Sequence, residues 1–215
     1  REWMKKDAEF WSQYLISKKT LTIFDVSPIS YYWINANRFS CDLSYAYRIG
    51  NKYKIYSPYE DIKWISNTTK KHIQGYSQLP EKGPLCVITS SLKDVMCLYE
   101  IGISAIALQS EMQMPEESLI QELQDRFDEV VVFYDNDFAN PNNPGQAMAN
   151  KIIEKYFPMS NIVIPSKFGT KDLSDYIAKY KSLDLARKLI EYQTLWQKEK
   201  TDNLSTTLIK ELDKK

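Results

Sequence analysis

Histidine is almost missing from these 215 residues: the chain has one, His72. That scarcity argues against zinc chemistry and against Ser-His or Cys-His nucleophilic catalysis, each of which leans on imidazole. Cysteine is scarce as well. Cys41, Cys86 and Cys97 are odd in number and show no C-x-x-C spacing. They are expected to be reduced core thiols of a cytoplasmic protein, with no zinc site among them. No run approaches the ~18 apolar residues of a membrane span, and no signal-peptide pattern opens the chain. No internal repeat or low-complexity tract is present. The first residue is Arg1 rather than Met, so a monomeric fragment of a longer protein is expected.

Apolar residues make up 43% of the chain, enough for one large domain or two small ones. Net charge is zero but unevenly spread. Residues 1–80 carry 12 Lys and Arg against 7 Asp and Glu, residues 81–139 carry 3 against 12, and residues 140–215 carry 13 against 9. A basic segment followed by an acidic one suits an enzyme that holds a polyanion on one part and cations on another. Chance fluctuation of charge along a chain gives the same profile.

The chain is organised around residues 129–137, EVVVFYDND. Its apolar run reads as a buried strand of a parallel sheet, and it ends in two carboxylates, Asp135 and Asp137. Ligand sites of open α/β sheets lie beyond the carboxyl ends of the strands. Two neighbouring carboxylates there repel unless a cation or proton lies between them. A hard divalent ion, Mg²⁺ or Mn²⁺, is the natural occupant, and a strand ending in a plain Asx turn is the simpler reading.

Before this stretch, an aromatic stripe predicts a helix over 3–17, and a short second helix is expected near 20–26. Residues 29–39 are aromatic and Asn-rich without a clear period. Residues 43–58 read as a hairpin, turned by Gly50-Asn51 as a II′-type loop. Arg48, Lys52 and Lys54 are expected to come close on that ribbon, with tyrosines between them. Cations and rings together suit single-stranded nucleic acid, and equally a solvated sheet face. A short strand at 63–67 and a polar connection to residue 83 follow. Strands at 85–89, 104–108, 130–134 and 161–165 then alternate with helices at 92–101, 115–127, 145–156 and 172–180. One or two exposed, charged helices are expected at 183–200 and 204–213. The division that follows is a basic α+β unit at 1–82, an α/β unit with a parallel sheet and helices on both faces at 83–182, and a helical segment at 183–215. Asp94, Asp135, Asp137, Asp172 and Asp175 all follow strand ends, a set suited to Mg²⁺-type chemistry.

Three stretches resemble the Toprim domain of DnaG-type primases of bacteria and phages: VITSSLKDVMCLYEIGISAIA, VVVFYDNDFANPNNPGQAMA and GTKDLSDYI. Upstream, KWISN is similar to the catalytic-lysine strand of the primase polymerase core. The resemblance covers roughly residues 10–180. It implies a Toprim-like, Rossmannoid fold and a DNA primase, a DNA-directed RNA polymerase that makes short RNA primers on single-stranded DNA. By the same resemblance, Asp135, Asp137 and Asp172 would hold Mg²⁺ or Mn²⁺ with support from Asp94. Lys63, Asp135, Asp137 and Glu111 would serve catalysis. Arg48, Lys52, Lys54, Lys63, Asn67 and Lys171 would grip template or nucleoside triphosphate. A single-stranded DNA template, ribonucleoside triphosphates and a replicative helicase are the implied partners, in the cytoplasm of a bacterial cell or a phage-infected host.

One departure stands out. The family's signature glutamate falls on Ser90 and its glycine on Ser91. Glu111 could reach across to replace it, the metal could be held more weakly, or catalysis could be lost. The last case leaves a non-catalytic Toprim nucleic-acid-binding module, the alternative to the primase. A Toprim nuclease or topoisomerase fragment is a third reading.

Overall fold

A computed structural model describes the backbone of residues 1–212 and the side chains of residues 1–200. The part of the expected carboxyl-terminal segment after residue 212 lies outside the described residues. Elements follow in the order α1 (Lys5–Ser12), α2 (Lys18–Ile23), β1 (Val26–Ile34), β2 (Asn37–Ile49), β3 (Lys52–Tyr56), β4 (Trp64–Ser66), β5 (Gly83–Thr89), α3 (Leu92–Glu100), β6 (Ser104–Ala107), α4 (Glu117–Arg126), β7 (Phe127–Phe133), α5 (Pro144–Lys155), β8 (Ser160–Asn161), α6 (Leu173–Tyr180) and α7 (Leu183–Leu212).

The first half builds an antiparallel sheet, β1-β2-β3-β4. Helix α1 is shorter than its aromatic stripe suggests, because the backbone turns left-handed at Leu15 (φ 54°). Tyr14 and Leu15 therefore pack from a turn. Phe10 and Trp11 point from α1 onto Tyr45 and Tyr47 of β2, all four buried. The stretch 29–39 is not irregular. It forms the outer half of the β1–β2 hairpin, closed by Asn35 and Ala36 at positive φ (48° and 67°). Its lack of period has a physical cause: this ribbon is mostly exposed on both faces, so nothing selects alternation.

The second half is a parallel sheet in the order β6-β5-β7-β8. Its two central strands are buried on both faces and so read as continuous apolar runs. Val87, Val131 and Phe133 face α3, α6 and the start of α7. Cys86, Ile88, Val130 and Val132 face α4 and α5. The α/β architecture with helices on both faces, preceded by a small α+β unit, is as the sequence predicted. Ser91 caps α3 by accepting the Asp94 N–H, and Gly102 (φ 75°) ends that helix in the left-handed conformation.

Two expectations need correction. The fourth strand shrinks to Ser160–Asn161, although Ile162 and Ile164 beyond it are fully buried. Helix α7 is one 30-residue helix, the first of the two expected possibilities, but its opening turns are not exposed: Ala186, Leu189 and Ile190 join the core. One hydrophobic cluster runs from Phe10 and Tyr47 into Leu92, Val95 and Met96. The two sheets thus share packing across residues 82–83, and a cleft lies between them.

Candidate active site

The cleft holds about 910 Å³ and is walled by both sheets. Lys54, Tyr56, Tyr59, Lys63 and Trp64 line one side, while Ser90, Lys93, Asp94, Glu111, Asp135, Lys171 and Asp172 line the other. The acidic wall sits where β5, β6 and β7 end.

Among the described residues, Asp94, Asp135 and Asp172 each offer a carboxylate oxygen, and these three atoms lie within 4.8 Å of one another. Asp94 stands in the first turn of α3 and is buried. Its Oδ2 accepts the Ser91 hydroxyl (2.6 Å), and its Oδ1 accepts the Ser174 N–H (3.0 Å). Burial first, then the neighbouring charge of Asp172, pushes this carboxyl up to about 7. Asp135 follows β7. Its Oδ1 accepts the Ser90 hydroxyl at 2.6 Å, and its Oδ2 meets Lys171 Nζ at 3.0 Å. Asp172 caps α6, its Oδ1 accepting the Asp175 N–H and the Ser174 hydroxyl, both at 2.7 Å.

Two lysines balance these acids. Burial would lower Lys93, but Asp172 and Asp94 outweigh it and hold the ammonium above the usual lysine range. Lys171 behaves the same way, with Asp135 the main opposing charge. Lys93 also lies 4.3 Å from the Tyr14 ring centroid. The donor set fits a hard divalent ion: three converging carboxylates, one of them buried and proton-loving until a stronger cation arrives.

Glu111 comes from the loop after β6. Its Oε1 accepts the Asp135 N–H at 3.1 Å, and burial together with Asp135 pushes its carboxyl up to about 7. Gly145 makes room for this contact. A Cβ there would stand 2.5 Å from the Asp135 carbonyl oxygen and 2.6 Å from Glu111 Oε1. Asp137 is not among the three converging acids. Its N–H donates to Asn143 Oδ1 (3.0 Å), and it lines an adjacent groove of about 860 Å³ with Asp175, Thr170 and Lys171. Asp135 and Asp137 both lie beyond the end of β7, where the pleat no longer keeps side chains at i and i+2 on one face.

On the opposite wall, Lys54 is 9% exposed. Its Nζ donates to the Gln109 carbonyl (3.1 Å) and lies 4.8 Å from the Trp64 ring centroid, and burial pulls it down to about 8. Trp64 stacks on Tyr56 at 4.4 Å. Lys63 is exposed at the same cleft. The three hairpin cations do not meet. Tyr47 pairs with Lys54 and Ile49 with Lys52, whereas Arg48 pairs with Tyr53. The pleat therefore puts Lys52 and Lys54 on one face and Arg48 on the other. Asn67 extends the strand pairing instead of facing the cleft alone: its Oδ1 accepts the Tyr53 N–H at 2.8 Å.

Sequence reasoning missed Ser90 and Ser91 as hydroxyl donors and Lys93 as a balancing cation. A lysine before an aspartate at a helix start ordinarily marks a solvated face, so only packing distinguishes this one.

No protein-family model matches the chain, and no curated protein sequence does. Solved structures do. The zinc-binding and RNA polymerase domains of Aquifex aeolicus primase match at 13% identity and a TM-score of 0.62, over 88% of this chain and 56% of that one. The Escherichia coli primase catalytic core matches at 13% and 0.60, over 84% and 72%. The primase fragment of the bacteriophage T7 primase-helicase matches at 14% and 0.53, over 84% and 71%. The chain thus spans little more than half of the Aquifex structure and about seven-tenths of the other two. With its antiparallel sheet packed against a parallel one and the acidic cleft between them, this chain has the fold of the DnaG-type primase catalytic core.

Proposed function

We propose that this chain is a primase polymerase core, which joins ribonucleotides on a single-stranded DNA template by divalent-metal-dependent nucleotidyl transfer. The observation that carries this reading is the cleft itself: three carboxylates converge on one wall while Lys54 and Lys63 face them from the other. Asp94, Asp135 and Asp172 would hold Mg²⁺ or Mn²⁺. Bound there, such an ion supplies neutralisation of triphosphate charge and of the charge that develops during phosphoryl transfer.

The remaining work falls to the chain's own groups. Lys63, exposed at the cleft, meets phosphate oxygens as a point charge. Lys54, anchored on the Gln109 carbonyl, presents a positive edge at a fixed place. Trp64, exposed at the cleft and backed by buried Tyr56, offers an aromatic surface to a base. Lys171 and Ser90 orient the two Asp135 oxygens. In the transfer, the 3′-hydroxyl oxygen of the growing strand bonds to the α-phosphorus, and the bond to the bridging oxygen breaks. Pyrophosphate leaves. Glu111, whose carboxyl titrates near neutrality, is assigned the hydroxyl proton. Asp137 is assigned to the adjacent groove. The reading is of a cytoplasmic protein that works beside a replicative helicase.

A second reading has its own observation. Ser90 gives Asp135 a hydrogen bond where the Toprim resemblance has a glutamate, so the wall has one negative charge fewer. A non-catalytic nucleic-acid-binding module would tolerate that. Incubation with single-stranded DNA, labelled ribonucleotides and Mg²⁺ or Mn²⁺ separates the two. Short RNA is expected, and Asp135→Asn should abolish it while DNA binding persists. Undiminished synthesis by that variant sinks the metal site; DNA binding with no RNA from the wild type selects the binding module.

A further inference from the structure

The antiparallel sheet throws out an arm. β3 stops at Tyr56, opposite Tyr45, but β1 and β2 run on to the turn at Asn35 and Ala36. Past that point the ribbon is two strands wide; Arg1 holds its base through the Ile29 and Asp42 carbonyls, and residues 30–40 beyond are mostly exposed. Two strands alone are marginal in water, and a chain seldom leaves large rings exposed on such an element without use. This one is dense in rings. Tyr31 and Trp33 share one face and are 48% and 60% exposed. Tyr32 and Phe39 share the other and stack at 5.5 Å. Arg38 lies over the Tyr31 ring at 4.2 Å.

Charge and position narrow what the arm can take. Residues 29–41 contain Arg38 and no carboxylate. The arm leaves the sheet at the end where the loop from β3 to β4 turns. The same loop places Tyr59, 72% exposed, on the wall of the acidic cleft. The arm thus begins beside the cleft mouth. Flat faces with a cation between them stack bases without selecting their sequence.

We propose that the arm formed by residues 29–40 is a second binding surface for single-stranded nucleic acid, stacking bases of the strand that leaves the cleft on Tyr31 and Trp33, the face that also carries Arg38. It rests on the cleft being a nucleic-acid site. The arm adds length to the footprint and takes no part in the chemistry.

The test is a length series. Labelled oligodeoxynucleotides of about 4, 8 and 16 nucleotides are titrated by fluorescence anisotropy with the wild type and with the double variant Tyr31→Ala, Trp33→Ala. The variant should match the wild type on the shortest strand and lose at least about tenfold in affinity on the longest. Trp33→Phe keeps a ring and should retain most of that affinity. The rings are solvent-exposed, so melting temperatures should coincide. Equal affinities at every length overturn the arm and leave the cleft reading standing. A wild type that binds no strand of any length overturns both. Loss of self-association in the double variant with DNA affinity unchanged also overturns the proposal and assigns the arm to a protein contact.

Discussion

Replacing Asp94 by Asn puts a number on how far the acidic cluster is strained without a cation. In the folded chain the Asp94 carboxyl titrates at about 7, against an ordinary value of 3.8. A folded-state value above the unfolded one gives stability that is full below about pH 4 and is lost as pH climbs toward about 7. Each unit corresponds to about 1.4 kcal/mol, so going from about pH 5 to about pH 8 should cost the metal-free wild type on the order of 3 kcal/mol. Asn keeps an acceptor for the Ser174 N–H and a partner for the Ser91 hydroxyl, and it carries no charge to desolvate. The variant should therefore escape that loss. For a domain of this size the difference amounts to roughly 6–12 °C in melting temperature. The assay is thermal unfolding in a chelator across that pH range, repeated with Mg²⁺. The gap between variant and wild type should widen with pH in chelator. Added Mg²⁺ should raise the wild type and leave the variant unmoved, because an ion stabilises only the state that binds it. Parallel pH curves for the two proteins in chelator would refute the argument.

Three further perturbations follow from other parts of the molecule. Lys54 titrates near 8 because it is buried, so its charge destabilises the fold below about pH 8 and the penalty fades as pH rises toward about 10.5. Lys54→Met should gain on the order of 2–3 kcal/mol at neutral pH in denaturant titrations, yet weaken single-stranded DNA binding and flatten its salt dependence by about one phosphate contact. Gly145→Ala should drive a methyl into the Asp135 carbonyl and Glu111. Even if the fold survives, the displaced carboxylate should cut primer synthesis on the order of 100-fold, read as kcat. Ala36→Gly removes a Cβ from a left-handed position in the arm's turn, a relief of about 1 kcal/mol. Amide exchange along residues 30–40 should slow about fivefold; unchanged exchange would mean the turn is not under strain.

The sequence by itself determined the alternation of strand and helix after residue 85, because strands buried on both faces must be apolar throughout and their termini must be punctuated. It also determined that carboxylates would cluster beyond those strand ends: Asp135 at the end of VVVFY and Asp172 at a helix start are readable from position alone. The outer β1–β2 ribbon left no such trace, since exposure on both faces removes the alternation that marks a strand. Only the tertiary structure decided which acids meet. Asp135 and Asp137 are two residues apart yet face different grooves, while Asp94 arrives from a helix 41 positions away to complete the group. The same holds for the cations: the pleat separates Arg48 from Lys54, and packing turns Lys93 into a counter-charge. Spacing along a chain fixes which way a side chain leaves its own element; which other side chains it finds there depends on how distant elements pack.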